Sequence, residues 1–301
     1  MKTKAEWQAL SKSVTFRNQA YIGGRFQPAV SGETFASVNP ATEHTLTHVA
    51  SCDQGDVDLA VASARSAFES GVWSKQPPKV RKGVLLRLAD LMALHQDELA
   101  VTDTLDMGKS ISEMVNIDLP DSIDCMRWTA EAIDKIFGEI APTGGDTLGL
   151  ISHEPVGVVA AITPWNYPLM MAVWKLAPAL AAGNSVILKP SEKAPLSALR
   201  LAELATEAGL PHGVLNVLPG FGHTAGKVLA LHHGVDVLAF TGSSRVGGLL
   251  MEYAGQSNLK RVWLEAGGKS PMVVFDDCGD INKAAEAAAA AIFSNQGEVC
   301  I

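Results

Sequence analysis

What this chain lacks narrows its chemistry before any motif is read. None of its four cysteines, Cys52, Cys125, Cys278 and Cys300, forms a C-x-x-C pair. Thiols scattered in this way fit a reducing compartment better than a disulfide framework. Runs of Lys and Arg are absent and the net charge is −8, so no nucleic-acid surface is expected. No apolar stretch reaches the length of a membrane span; "VGVVAAITPW" is broken by Pro164 and followed by polar residues. The opening "MKTKAEWQALSK" has no apolar signal core, which makes a cytoplasmic protein the expectation. Metal binding is not expected either. The eight histidines are scattered, and the adjacent pair His232–His233 cannot turn both rings to one helix face.

What is present is an ordinary globular balance, 47% apolar and 19% charged over 301 residues. That length favours two domains. The first forty residues, with "YIGGRFQPA" and "GETFASVNP", read as hairpin strands on a surface. From Asp53 to Gly138 apolar residues recur at spacings of three and four, the mark of helices. Pro77–Pro78 separates the first helix from a second that runs to Gly108, and a third covers "DLPDSIDCMRWTAEAIDKIFG". "DTLGLISHEPVG" alternates like an exposed strand pair, a candidate arm between subunits. Beyond Val156, Val/Ile/Leu-rich strands alternate with amphipathic helices, which indicates a parallel sheet covered on both faces. Such sheets bind ligands beyond the carboxyl ends of their strands, where "LKPSE", "LPGFG", "FTGSS" and "LEAGG" fall. A final alanine-rich helix leads to "FSNQGEVC".

Each motif has a chemical reading and a plainer one. "FTGSSRVG" (240–247) opens a helix after a strand, where free N–H groups and the helix dipole suit a phosphate. "GFGHTAG" (220–226) is similar, although its spacing is not the dinucleotide fingerprint. Glycines at such turns also serve backbone geometry alone. In "LKPSE", Lys189 and Glu192 can meet the two hydroxyls of a ribose, or Ser191 or Glu192 can simply cap the next helix. Asn166, fixed between two prolines in "ITPWNYP", can donate to a developing oxyanion, though turn asparagines more often bond their own backbone. Glu265 at the end of "VWLEAGG", desolvated among apolar residues, suits general-base work; a strand-end glutamate is otherwise a solvated side chain. Cys300 follows a glycine outside any apolar helix face, whereas Cys125 in "DCMRW" sits in an apolar frame. Cys300 is the better nucleophile candidate.

Taken in order, "PWNYP", "LKPSE", "GFGHTAG", "FTGSSRVG", "LEAGGKSP" and "FSNQGEVC" resemble the successive signatures of the aldehyde dehydrogenase superfamily. The resemblance implies an α/β fold. A Rossmann-like parallel sheet with helices on both faces forms an NAD(P)-binding domain (1–139 and 159–266). It is followed by a β-hairpin oligomerisation arm (140–158) and the start of an α/β catalytic domain (267–301). It implies a thiohemiacetal on Cys300, an oxyanion held by Asn166 and the Cys300 N–H, and a thioester hydrolysed by water that Glu265 activates. The implied cofactor is NAD, with NADP possible because Lys189 accompanies Glu192. Its contacts would be Ile162, Thr163, Trp165, Lys189, Ser191, Glu192, Gly222, Phe240, Gly242, Ser243, Ser244, Arg245, Val246 and Gly247.

A narrower resemblance, in "WTAEAIDKIFGE", "LKPSEKAPLSA" and "NQGEVC" among others, is to bacterial dehydrogenases of 4-(γ-glutamylamino)butanal and 4-guanidinobutanal. It puts Asp118 and Asp121 on a substrate tunnel, where carboxylates favour an amino or guanidino end, with Met171 and Trp174 as its apolar wall. Asp118 and Asp121 can equally start and solvate a helix. The family's members form homodimers or homotetramers and act on small aldehydes. This chain departs at Arg245, where an acidic or other polar residue is frequent, at Glu298, where glutamine is common, and in length. The 301 residues alone are expected to be inactive. Three alternatives remain open here: a general aliphatic or betaine-type aldehyde dehydrogenase, a non-catalytic nucleotide-binding module, and a cofactor-free thiol esterase or acyltransferase using Cys300 and Glu265.

Overall fold

The computed structural model describes residues 2–300; the terminal residues 1 and 301 of the expected domains lie outside them. Helix α1 (Lys4–Ser13) starts at Thr3, whose hydroxyl accepts from the Glu6 N–H while the Glu6 carboxylate accepts from the Thr3 N–H. Two hairpins follow, β1 (Ala20–Ile22) with β2 (Arg25–Gln27), and β3 (Thr34–Val38) with β4 (Thr45–Ala50). Only the second is a separate sheet. All three residues of β1 are buried, and Tyr21 pairs antiparallel with Val217 of the main sheet, so the expectation of surface hairpins fails for "YIGGRF". A three-residue apolar strand looks the same at a surface or in a core until its partner is known.

Helices α2 (Gln54–Ser70), α3 (Pro78–Leu94) and α4 (Gln96–Met107) come next. The long helix expected to end at Gly108 is broken at His95, which leaves helical geometry (φ −99°, ψ 17°) as its N–H closes α3 on the Leu91 carbonyl. Gly108 closes α4 in the left-handed conformation. A single turn, α5 (Ile111–Glu113), passes through a π-helical turn (Met114–Asp118) into α6 (Leu119–Ala132). The exposed strand pair lies across a loop, β5 (Glu139–Ala141) against β6 (Gly149–Ile151), not within 146–157 as the alternation suggested.

The remaining chain alternates as expected: β7 (Val158–Ile162), α7 (Pro168–Ala181), β8 (Ser185–Lys189), α8 (Leu196–Glu207), β9 (Leu215–Val217), α9 (Lys227–Leu231), β10 (Val237–Gly242), α10 (Ser244–Gln256), β11 (Arg261–Ala266) and α11 (Ile281–Phe293). The seven-stranded sheet has the order β11-β10-β7-β8-β9-β1-β2, parallel from β11 to β9. Its strands feed two cores. Val159 and Ala161 of β7 pack with α3, α7 and α8, while Val158, Ala160 and Ile162 pack with α2, α9 and α10. Period-two alternation therefore serves both faces, and each fully buried Val or Leu contributes about 1.5–3 kcal/mol. This is the doubly covered parallel sheet of the sequence reading.

Candidate active site

Strands β8 and β10 flank β7 on opposite sides, so the chain reverses its direction of winding at β7 and a crevice opens at the carboxyl ends there. Ile162 ends β7, and the Thr163 N–H bonds the Lys189 carbonyl at the end of β8 (3.1 Å). Lys189 is buried, its ammonium donating to the Pro190 carbonyl (2.8 Å) and lying 3.6 Å from Glu192. Burial pushes the Lys189 ammonium down, with the Glu192 charge opposing. Ser191 does not cap α8; its hydroxyl accepts from the Lys193 N–H (3.3 Å). A cleft of about 410 Å³ beside these loops is lined by Phe35, Val38, Trp165, Glu192, Phe221 and Glu298. Lys193 lies over the Trp165 ring, 5.3 Å from its centroid.

Phe240 and Gly242 bring β10 to the same end. A Cβ on Gly242 would stand 2.5 Å from the tip of the Phe240 ring, so a side chain there would have to displace that ring. Ser243 caps α10 by accepting from the Val246 N–H (3.3 Å), while Ser244 and Arg245 in the first turn are exposed. Gly247 lets α10 sit against Leu264, where a Cβ would approach to 3.2 Å. Gly222 begins a π-helical turn and faces open space. These residues fit a dinucleotide. A buried cation beside a carboxylate suits ribose hydroxyls, and the exposed first turn of a thirteen-residue helix suits the pyrophosphate.

The second half of the site is built around Cys300, which is half-buried. Burial pushes the Cys52 and Cys125 thiols up, and Cys278 is exposed away from these motifs. The Cys300 carbonyl accepts from the Gly268 N–H (2.8 Å), tying its loop to the segment after β11. On the other side the Asn166 amide donates to the Glu298 carbonyl (2.6 Å), and Asn295 donates to the Asn166 carbonyl (3.0 Å). Three motifs, the first more than a hundred positions before the other two, thus meet at the Cys300 loop. Glu265 is on β11 opposite Thr241 of β10. The desolvated setting expected for Glu265 is not found: it is exposed, because nothing packs over β11 on that side. Glu298 is pushed up by burial, against the pull of Lys109 and Lys193.

The two acids expected on a substrate tunnel part company. Asp118 is buried and ion-paired with Lys109, whose ammonium also sits 3.6 Å over the Tyr167 ring. That carboxylate is on the last residue of the π-helical turn and faces the buried lysine. Asp121 is exposed and accepts from the Trp174 indole N–H (2.9 Å), so α6 and α7 present both at one rim. Met171, one turn earlier on α7, is buried.

Sequence reasoning missed Lys175. Its ammonium donates to the Thr241 hydroxyl (2.7 Å), and burial pushes it down to about 8, with the Glu265 charge opposing. A lysine held there can exchange protons near neutral pH beside the Glu265 strand. The available signal was that Lys175 is the one charge in a fourteen-residue apolar helix. Glu113 was missed as well; it accepts from the Asn295 N–H (3.0 Å) across 182 positions of sequence, and no local pattern announces that. Among the described residues no cluster suits a metal ion and no helix is long and apolar enough to cross a membrane.

Comparison with known proteins places this geometry. The aldehyde dehydrogenase family model matches residues 26–301. The chain is 55% identical over 297 residues to the NADP/NAD-dependent aldehyde dehydrogenase PuuC of Escherichia coli (strain K12), covering 99% of this chain and 60% of that protein. An indole-3-acetaldehyde dehydrogenase solved in complex with NAD+ superposes with a TM-score of 0.98 at 55% identity, over 100% of this chain and 61% of that one. A γ-glutamyl-γ-aminobutyraldehyde dehydrogenase from Burkholderia cenocepacia J2315 superposes with a TM-score of 0.97 at 55% identity, over 99% and 60%. The chain spans about 60% of the length of the relatives it matches. With its sheet, its loops and a family match from residue 26 to residue 301, the chain belongs to the aldehyde dehydrogenase family.

Proposed function

We propose that this chain carries the cofactor-binding domain and the nucleophile of an NAD(P)+-dependent aldehyde dehydrogenase acting on ω-amino or γ-glutamylamino aldehydes. The observation that carries the reading is the meeting of Asn166, Gly268 and the Cys300 loop through direct hydrogen bonds. Lys189 and Glu192 would hold the adenosine ribose, and the Gly242–Ser243 turn with the α10 N-terminus would hold the pyrophosphate. Similarity to a protein complexed with NAD+ and to one described as NADP/NAD-dependent supports both cofactor forms. The chemistry NAD(P)+ supplies when bound is acceptance of a hydride from the aldehyde carbon.

The chain's own residues do the rest. The Cys300 thiolate adds to the aldehyde carbon, and the Asn166 side-chain N–H with the Cys300 backbone N–H stabilises the oxyanion. Once the carbon is at the oxidation level of a thioester, water attacks it. Glu265 takes the water's proton, and Cys300 leaves with the carboxylic acid released. Lys175, between Thr241 and the Glu265 strand, would share that proton. The exposed Asp121 carboxylate beside Trp174 would favour a substrate with a cationic end, in keeping with similarity to a γ-glutamyl-γ-aminobutyraldehyde dehydrogenase. The β5–β6 hairpin, with Ile140 and Leu150 exposed, would join subunits into a dimer or tetramer.

The test is a panel of aldehydes with and without a terminal amine, assayed for NADH on a polypeptide extended to the length of the relatives. Cys300→Ser should lower turnover by roughly 10⁴-fold or more, and Asp121→Ala should remove the preference for amines. Retention of turnover in Cys300→Ser sinks the mechanism. An unchanged panel in Asp121→Ala sinks the substrate class. In the 301-residue chain Glu265 is exposed, and NAD+ binding without turnover is the expectation there.

A further inference from the structure

Immediately before the nucleophile, three consecutive residues take left-handed backbone: Asn295 (φ 47°), Gln296 (φ 57°) and Gly297 (φ 79°). Glycine accepts this at no steric cost and a single asparagine at little, but Gln296 does not, and a left-handed run that includes it reverts to extended or right-handed backbone unless held. The holding contacts come from elsewhere in the chain. Glu113, the last residue of α5, accepts from the Asn295 N–H through its carboxylate (3.0 Å). The Gly108 carbonyl accepts from the Gln296 amide. The buried Asn295 side chain donates to the carbonyls of Asn166 (3.0 Å) and Glu298 (3.1 Å). Of these outside contacts, Glu113 supplies the one charged side chain, and charge-assisted hydrogen bonds of this kind are about twice as strong as neutral ones.

We propose that Glu113 is a positioning residue for the Cys300 thiol: by holding the Asn295 amide it keeps the left-handed turn that sets Cys300 between Asn166 and Gly268. Glu113 touches no reacting atom and acts through the backbone of 295–298. The segment from Gly108 to Asp118 thereby becomes a cradle for the nucleophile loop. Gly108 and Glu113 grip the turn, and Lys109, paired with Asp118, lies under Tyr167 next to Asn166. The inference rests on the reading of Cys300 as the reactive thiol.

The test uses the 301-residue chain and reads two quantities on each variant. One is hydrogen exchange of the amides from 295 to 300. The other is alkylation of Cys300 by iodoacetamide relative to Cys278, an exposed thiol on the same molecule. Glu113→Ala should speed exchange by about tenfold, the fold-change of one lost hydrogen bond to a charged acceptor. Cys300 alkylation should rise severalfold relative to Cys278 as the half-buried thiol is released. Glu113→Gln, which keeps an acceptor, should restore both quantities toward the original chain. Should Glu113→Ala not fold, Glu113→Ser reads the same two quantities. An unchanged or lower Cys300 to Cys278 ratio on truncation overturns the proposal, as does a Gln variant as impaired as the Ala one. Both readings report where the thiol sits rather than whether an aldehyde is oxidised, so they fail independently of the Cys300→Ser turnover test.

Discussion

Helices α7 and α11 are built from similar material and meet opposite fates. "PLMMAVWKLAPALA" buries ten of its fourteen residues, whereas "INKAAEAAAAAIF" buries none of its thirteen. The first is held from outside: its N-terminus is capped by the buried Asp103 of α4, which accepts from the Leu169 N–H (3.2 Å), and Leu176 and Leu180 enter the core. The second holds itself, through alanine propensity and the Asp280 carboxylate, which accepts from the Asn282 and Lys283 N–H groups. The same contrast separates β7 and β8, buried at every position, from the exposed β11. Apolar character makes an element available for a core, and a packing partner makes it one. For α7, β7 and β8 those partners come from α2, α3, α8 and α9. From residue 267 onward, Met272–Phe275, Ile281, Ile292 and Phe293 are all exposed.

The largest way to probe this contrast is to cut into α7. Leu176→Ala removes a fully buried side chain and should cost about 2–5 kcal/mol, read as a lowered urea midpoint for the whole domain. No change in midpoint would mean that α7 is not part of the cooperative unit.

Next in size is a pH effect seated in α4, which caps the first turns of two helices at once. Asp103 reaches α7, and Asp106 accepts from the Leu196 N–H of α8 (2.9 Å) and the Ser37 hydroxyl (2.6 Å). Burial pushes Asp103 up to about 6 and Asp106 up to about 7. Both folded values lie above the unfolded one. The stability these groups contribute is therefore complete below about pH 4 and lost as pH rises through 6 and 7. Between pH 5.5 and 8 the Asp106 share is about 2 kcal/mol. Asp106→Asn, which keeps an acceptor, should flatten the pH dependence of unfolding by that amount. A variant with the original slope would show that Asp106 does not carry it.

The smallest effect belongs to α11. Ala287→Gly, in an exposed helix interior, should cost about 1 kcal/mol of local helix stability. Hydrogen exchange in 281–293 should speed up while the urea midpoint of the domain stays where it is. A shifted midpoint would show that α11 is coupled to the core after all.

Much of the site was legible because its signals are local. A strand followed by a glycine turn and a helix can be read from a dozen residues, and six short motifs in order carried the resemblance to the family. What escaped were contacts between distant residues. Lys109 and Asp118 pair across a π-helical turn, Lys175 meets Thr241 across 66 positions, and Glu113 meets Asn295 across 182. Asp118, read as a tunnel acid, faces a buried lysine that the helical pattern did not reveal. The exposed setting of Glu265 was missed for a related reason: apolar neighbours in "VWLEAGG" imply burial only when something packs against them.

By itself, the sequence determined the strand–helix alternation, the loops at the strand ends, the helix stops at Gly108 and the cysteine worth following. Periodicity, capping and turn chemistry act over a few residues. Only the tertiary structure decided that β1 joins the main sheet, that α4 caps both α7 and α8, and that Glu113 grips the turn before Cys300. Those outcomes depend on which distant surfaces meet, and hydrogen bonds and buried charges act through space rather than along the chain.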